Sequence, residues 1–137
     1  MAEGIAKQLV AEHLNVPVSE LPSKGYNILS AGTFGMDGAP VSPESVQAMK
    51  EQGVDISDYS SSALTEEMIQ QADAIFCMTE SHRQSVVNFD PSSASKTFRL
   101  DPDADVPDPI GLGLQAYQKT ADMIRTGLLQ RLKELTQ

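Results

Sequence analysis

The residues best suited to chemistry lie in one loop, Asp105-Val106-Pro107-Asp108-Pro109-Ile110-Gly111, where two carboxylates sit three positions apart and prolines flank the second. Two readings compete on residue types alone. Asp and Pro build turns, and an acidic loop needs no further purpose. Alternatively, a carboxyl held rigid between prolines over a pocket protonates a leaving oxygen as a general acid. A second candidate is Cys77, with His82 five residues on. The run Ile75-Phe76-Cys77-Met78 reads as a buried strand, however, and a cysteine there is an inert small hydrophobe with a raised pKa. His82, next to Arg83 at a helix start, reads as a surface histidine.

The elements that must position these groups follow from hydrophobic period and capping residues. Residues 2–14 carry Ala2, Ile5, Ala6, Leu9 and His13 or Leu14 at helical spacing, so the chain opens in an amphipathic helix with no N-cap residue ahead of it. Tyr26 to Leu29, closed by Ser30-Ala31-Gly32, predicts a buried strand ending in a tight loop. Ser42-Pro43-Glu44 starts a helix that points Val46 and Met49 at the core and stops at Gly53. Thr65-Glu66-Glu67 starts another, with Met68, Ile69 and Ala72 inward.

Ala74 to Met78 is apolar without alternation, the pattern of a strand covered by helices on both faces. Thr79 or Ser81 caps the next helix, and Ser81 with Gln84 fits a capping box. Lys96 to Leu100 predicts a further strand, and residues 101–113 a loop with four aspartates, three prolines and two glycines. Leu114, Tyr117, Ala121, Ile124, Leu128, Leu132 and Leu135 then keep three- and four-residue steps along a long final helix. Alternating helices and short buried strands argue for an α/β fold, a small parallel sheet flanked by helices in three layers.

Composition narrows the function classes. With 137 residues, one domain spanning 1–137 is expected. A net charge of -9 with scattered basic residues argues against nucleic acid and acidic membrane surfaces as partners. No apolar run is long enough to cross a bilayer. One cysteine and two histidines leave no intramolecular disulfide, thiolate cluster or structural zinc site, so neither metal nor cofactor is expected and a cytoplasmic setting is the natural reading.

Asp108-Pro109-Ile110-Gly111 followed by Tyr117 resembles the acid loop of the low-molecular-weight protein-tyrosine-phosphatase family, in the bacterial type close to the protein-arginine-phosphatase branch. Met1-Ala2-Glu3 is similar to the residues just after that family's phosphate loop, and Ser30-Ala31-Gly32-Thr33 to the end of its second strand. Gly53-Val54-Asp55-Ile56-Ser57 and Ala72 to Thr79 resemble two further segments, in order. The resemblance implies a phosphotyrosine-phosphatase I-like fold. It also implies a mechanism in which a cysteine thiolate attacks phosphorus, the arginine of a C-x-x-x-x-x-R loop binds the phosphoryl oxygens, and an aspartic acid protonates the leaving group. Asp108 takes the acid role by this resemblance. Phe34 is a candidate wall of the substrate cleft, where an aromatic side chain would stack on a phenolic ring.

By the resemblance, the family's first central strand and catalytic cysteine loop would lie ahead of Met1. The expectation is a phosphomonoesterase of phosphorylated proteins or small aryl phosphates that is inactive in this form. One alternative is a non-catalytic phosphatase-like binding or scaffold protein, in which self-association would compensate for the missing strand. Others are a protein arginine phosphatase and, weakest because it needs additional cysteines, a thioredoxin-type arsenate reductase.

Overall fold

The computed structural model describes residues 1–32 and 41–135. It shows an α/β fold whose residues group into two contact units. Among the described residues, the first unit draws on 1–30, 41–59 and 109–135 and the second on 31–32 and 60–108.

Three helices build the first unit: α1 (Ala2–Leu14), α2 (Pro43–Glu51) and α5 (Leu114–Leu135). The first, α1, has Met1 at its N-cap position with no side-chain bond, and it ends on Asn15 at φ 56°, where the N–H of Val16 reaches back to Ala11 O at 3.0 Å. Asn tolerates that left-handed conformation, which is why it closes the helix. Ser42 caps α2 by accepting the Ser45 N–H at 3.2 Å, and Pro43 sits at the first helical position, where its missing N–H costs nothing. Gly53 at φ 77° ends it, with the Val54 N–H bonding Met49 O at 2.9 Å.

The final helix packs on both α1 and α2 through its predicted stripe, burying Tyr117, Ala121, Ile124 and Leu128. Leu132 packs beside Val10, Ala11 and Leu21, whereas Leu114 at the start of the stripe is exposed. Each fully buried apolar side chain of this kind stabilises the fold by about 1.5–3 kcal/mol. A polar clamp crosses the same helices: the Arg125 guanidinium donates to Gln52 Oε1 at 2.8 Å and to Gln8 Oε1 at 2.7 Å.

The second unit holds the sheet. Strands β1 (Ile75–Cys77) and β2 (Thr97–Arg99) are parallel, with Ile75, Phe76 and Cys77 opposite Thr97, Phe98 and Arg99. Helix α3 (Glu66–Gln71) precedes β1, and α4 (Glu80–Phe89) together with a 3-10 segment (Pro91–Lys96) makes the crossover between the strands. Thr65 caps α3, and Ile69 from that helix meets Cys77 and Val86 in a small core. Ser93 and Thr97 are buried with their hydroxyls satisfied, Ser93 Oγ donating to Asp90 O and Thr97 Oγ1 to Ser93 O.

Two expectations change. Tyr26 to Leu29 forms no strand: Leu29 is 69% exposed, and only Ile28 in this stretch packs on the apolar cluster around Val10. An apolar run becomes a strand only when its backbone groups find a ladder. Here the ladder begins further on, at the isolated parallel bridge between Gly32 and Ala63. The second change concerns α4. Thr79 is its N-cap, accepting the His82 N–H at 3.0 Å, so Ser81 lies inside the helix and the Ser81/Gln84 box does not form. Phe34 lies outside the described residues.

Gly4 marks the tightest approach in the first unit. A Cβ added there would stand 2.7 Å from Ile56 Cγ2 and 2.9 Å from Val54 Cγ1. Gly4→Ala gains about 1 kcal/mol of helix propensity but forces a clash with two side chains of the packed Val54–Ile56 segment, which costs about 1–3 kcal/mol. Urea unfolding should therefore show the variant to be net less stable, against the direction that propensity alone would give.

Candidate active site

Because β1 and β2 run parallel, the segments that follow them leave from the same end of the sheet, where open α/β folds place their ligands. After β1 comes Met78-Thr79 and the first turn of α4; after β2 comes the acidic loop. Hydrogen bonding continues past the strands. The Leu100 N–H donates to Cys77 O at 2.7 Å and the Val106 N–H to Met78 O at 2.8 Å, while the Val106 side chain is only 2% exposed. Val106 therefore pins the middle of the loop to the β1 exit.

The first half of the loop is held by Arg99, the last residue of β2. Its Nε donates to Asp101 O at 2.8 Å, its Nη2 to Pro102 O at 2.7 Å and its Nη1 to Asp105 Oδ1 at 3.1 Å. Asp105 Oδ1 also accepts the Glu80 N–H at 2.9 Å, so the carboxylate serves one of the unsatisfied donors at the N-terminus of α4. Asp101 Oδ1 accepts the Asp103 N–H at 2.9 Å, a local turn.

That Glu80 N–H, and after it the Arg99 guanidinium, hold the Asp105 carboxyl below its ordinary pKa against a small opposing effect of desolvation. A depressed carboxylate keeps its contacts above the ordinary carboxylate range and loses them only as pH falls through the lowered value. The clamp is thus ionised throughout the neutral range.

Asp108 follows Val106 by two residues, with Pro107 before it and the buried Pro109 after it. The carboxylate is exposed while the backbone on either side is restricted, since proline fixes φ near -65°. Beyond it the Leu112 N–H bonds Pro109 O at 3.0 Å, and Gly111 and Gly113 take φ values of 77° and 87° that side chains disfavour. The Tyr117 N–H to Gly113 O bond then begins α5.

Among the residues singled out from sequence, Asp108 and Asp105 thus share one anchored loop, which Cys77 meets only through its main-chain carbonyl and on which His82 has a minor electrostatic effect at Asp105. Cys77 is 7% exposed, and burial pushes its thiol up to about 11. His82 is exposed in the first turn of α4. Sequence reasoning treated Arg99 as one of several scattered cations and missed its role. The available signal was an arginine at a strand end, two residues before an aspartate and three before a proline, where its fork reaches the carbonyls of the turn. Among the described residues no group of three His, Cys, Asp or Glu side chains is placed to hold a metal ion, and no helix is long and apolar enough to cross a membrane.

The thiolate is the reactive form of cysteine. With a pKa near 11 rather than 9.0, Cys77 at pH 8 carries about a hundredfold less thiolate. Iodoacetamide should modify it at least that much more slowly in the folded chain than in urea, with mass spectrometry as the readout.

The family model for low molecular weight phosphotyrosine protein phosphatase matches residues 1–137. The protein-arginine-phosphatase of Bacillus subtilis (strain 168) is 30% identical over 131 residues, covering 92% of this chain and 87% of that protein. The protein-arginine-phosphatase of Geobacillus stearothermophilus is 32% identical over 118 residues, covering 82% and 78%. The crystal structure of the low molecular weight protein tyrosine phosphatase from T. tengcongensis superposes with a TM-score of 0.83 at 32% identity, covering 97% of this chain and 88% of that one. Family match, relatives and fold agree, and the chain belongs to the low molecular weight phosphotyrosine protein phosphatase family.

Proposed function

We propose that this protein works as a phosphatase of phosphorylated protein side chains, with Asp108 as its general acid. The observation that carries the reading is the Asp108-Pro109 step: an exposed carboxylate between two prolines, on a loop bonded to the exits of both strands, in a chain of this family. A carboxylic acid held there protonates the departing oxygen or nitrogen as the bond to phosphorus breaks. The resulting carboxylate then takes a proton from the water that hydrolyses the phosphoenzyme.

The nucleophile is a separate matter. A thiolate that attacks phosphorus has to be stabilised by helix N–H groups or nearby cations. Cys77 is the single cysteine of the 137 residues; Arg83 stands at the C-x-x-x-x-x-R spacing from it and favours the thiolate, but burial outweighs that effect and raises its pKa. In this reading the nucleophile is supplied from outside the buried Cys77 site, by a cysteine loop that these 137 residues do not provide in reactive form, and the chain alone is expected to be inactive. Membrane and nucleic acid are not partners in this reading, and the reaction needs no metal or cofactor.

A second reading concerns the bond cleaved. Two relatives at 30% and 32% identity are protein-arginine-phosphatases and the tyrosine phosphatase of T. tengcongensis is 32% identical, so phosphoarginine stands beside phosphotyrosine as a candidate substrate residue. Guanidine is a poor leaving group, so an acid at Asp108 is needed at least as much for a P–N bond as for a P–O bond.

The test uses the 137-residue chain and the same chain extended by a C-x-x-x-x-x-R segment, each assayed on phosphotyrosine and phosphoarginine peptides. The extended chain should turn over one or both, with the shorter at background; thiol-dependent activity of the 137 residues alone would overturn the role denied to Cys77. In the extended chain, Asp108→Asn should lower kcat by about 10²–10⁴-fold on alkyl-type or guanidine leaving groups and far less on activated aryl phosphates. Equal kcat for both proteins on both substrates would remove Asp108 from the mechanism.

A further inference from the structure

We propose that Arg99 and Asp105 form a positioning pair that sets the reach of the Asp108 carboxyl toward its leaving group. The inference rests on the general-acid reading of Asp108. Three donors of Arg99 span the loop from Asp101 to Asp105, and the origin of that arginine is itself fixed by the sheet register that sets it opposite Cys77. Asp105 is bonded in turn to the first N–H of α4 and Val106 to the β1 exit. The loop is thereby tied to β1, β2 and α4 within four residues of Asp108.

Between Asp105 and the acid stand only Val106, itself bonded to the β1 exit, and Pro107, and Pro109 follows. With φ fixed at both prolines, little backbone freedom remains to absorb a shift of Asp105, so the shift is passed on to Asp108. A displacement of about 1 Å at a reacting group costs on the order of 10²-fold in rate.

The pair contributes little to stability in comparison. Asp105 is 50% exposed and Arg99 23%, and ion pairs of this kind contribute about 0–1 kcal/mol. Geometry, then, is what the pair supplies. Lysine in place of Arg99 keeps the charge but lacks the planar fork whose spread nitrogens span Asp101, Pro102 and Asp105. Asparagine in place of Asp105 keeps an acceptor for the Glu80 N–H and loses the charge.

The experiment compares Arg99→Lys, Asp105→Asn and Asp108→Asn in the extended chain on aryl phosphates running from activated to poor leaving groups, with thermal unfolding alongside. Arg99→Lys and Asp105→Asn should stay folded with KM unchanged. Their kcat should fall by about 10–100-fold for poor leaving groups and little for activated ones, approaching the steeper leaving-group dependence of Asp108→Asn. The double variant Asp105→Asn/Asp108→Asn should lose nothing beyond Asp108→Asn.

If Asp108→Asn steepens the dependence while Arg99→Lys and Asp105→Asn leave it unchanged, or lower kcat equally across the series, the positioning role is overturned and the acid reading stands. If Asp108→Asn itself shows no leaving-group dependence, the acid reading falls and takes this inference with it. Loss of fold in both Arg99→Lys and Asp105→Asn would assign the pair to folding and overturn the proposal as well.

Discussion

The second unit depends on the parallel pairing of β1 with β2. A parallel pair makes both chains leave the sheet at the same end, and a two-strand ladder of three residues has little else to hold those exits in place. Here the pairing is prolonged by main-chain bonds beyond the strands, from Leu100 to Cys77 and from Val106 to Met78. The acidic loop is therefore an extension of the sheet and shares its register.

That register also sorts two chemically active residues into different roles. Cys77 and Arg99 are the last opposed pair of the ladder. Cys77 packs with Ile69 and Val86, and desolvation raises its thiol out of the reactive range. The Arg99 guanidinium reaches the loop carbonyls and the Asp105 carboxylate, which replace the water it gives up. Neighbouring positions on one ladder thus yield an inert thiol and an engaged cation, and the difference lies in how far each side chain extends past the apolar interior. Of the two loop carboxylates, Asp105 bonds main-chain and arginine donors, and Asp108 is exposed between two prolines.

In the first unit, α5 supplies the organising surface. Its buried stripe receives α1 and α2, and Arg125 adds directional bonds to Gln8 and Gln52 that an apolar seam alone lacks. Close packing reaches its limit at Gly4, where the absent Cβ lets Val54 and Ile56 approach the helix backbone.

Helix starts and the long final helix were legible in the sequence because their causes are local. Ser42-Pro43-Glu44, Thr65-Glu66-Glu67 and Gly53 satisfy or terminate backbone groups within a few residues, and the α5 stripe needs only its own period. The burial of Cys77 was readable for the same reason, from an apolar run without alternation. Family membership and the candidacy of Asp108 also came from residue order alone. Tertiary structure decided the rest. Tyr26 to Leu29 has strand composition but no ladder, because pairing depends on a partner strand that local pattern does not specify. The capture of Asp105 by Glu80 and Arg99 follows from the proximity of segments 25 and 6 residues apart once β1 and β2 are in register. Residue type determined what each group is able to do; which partner it meets was set by the sheet.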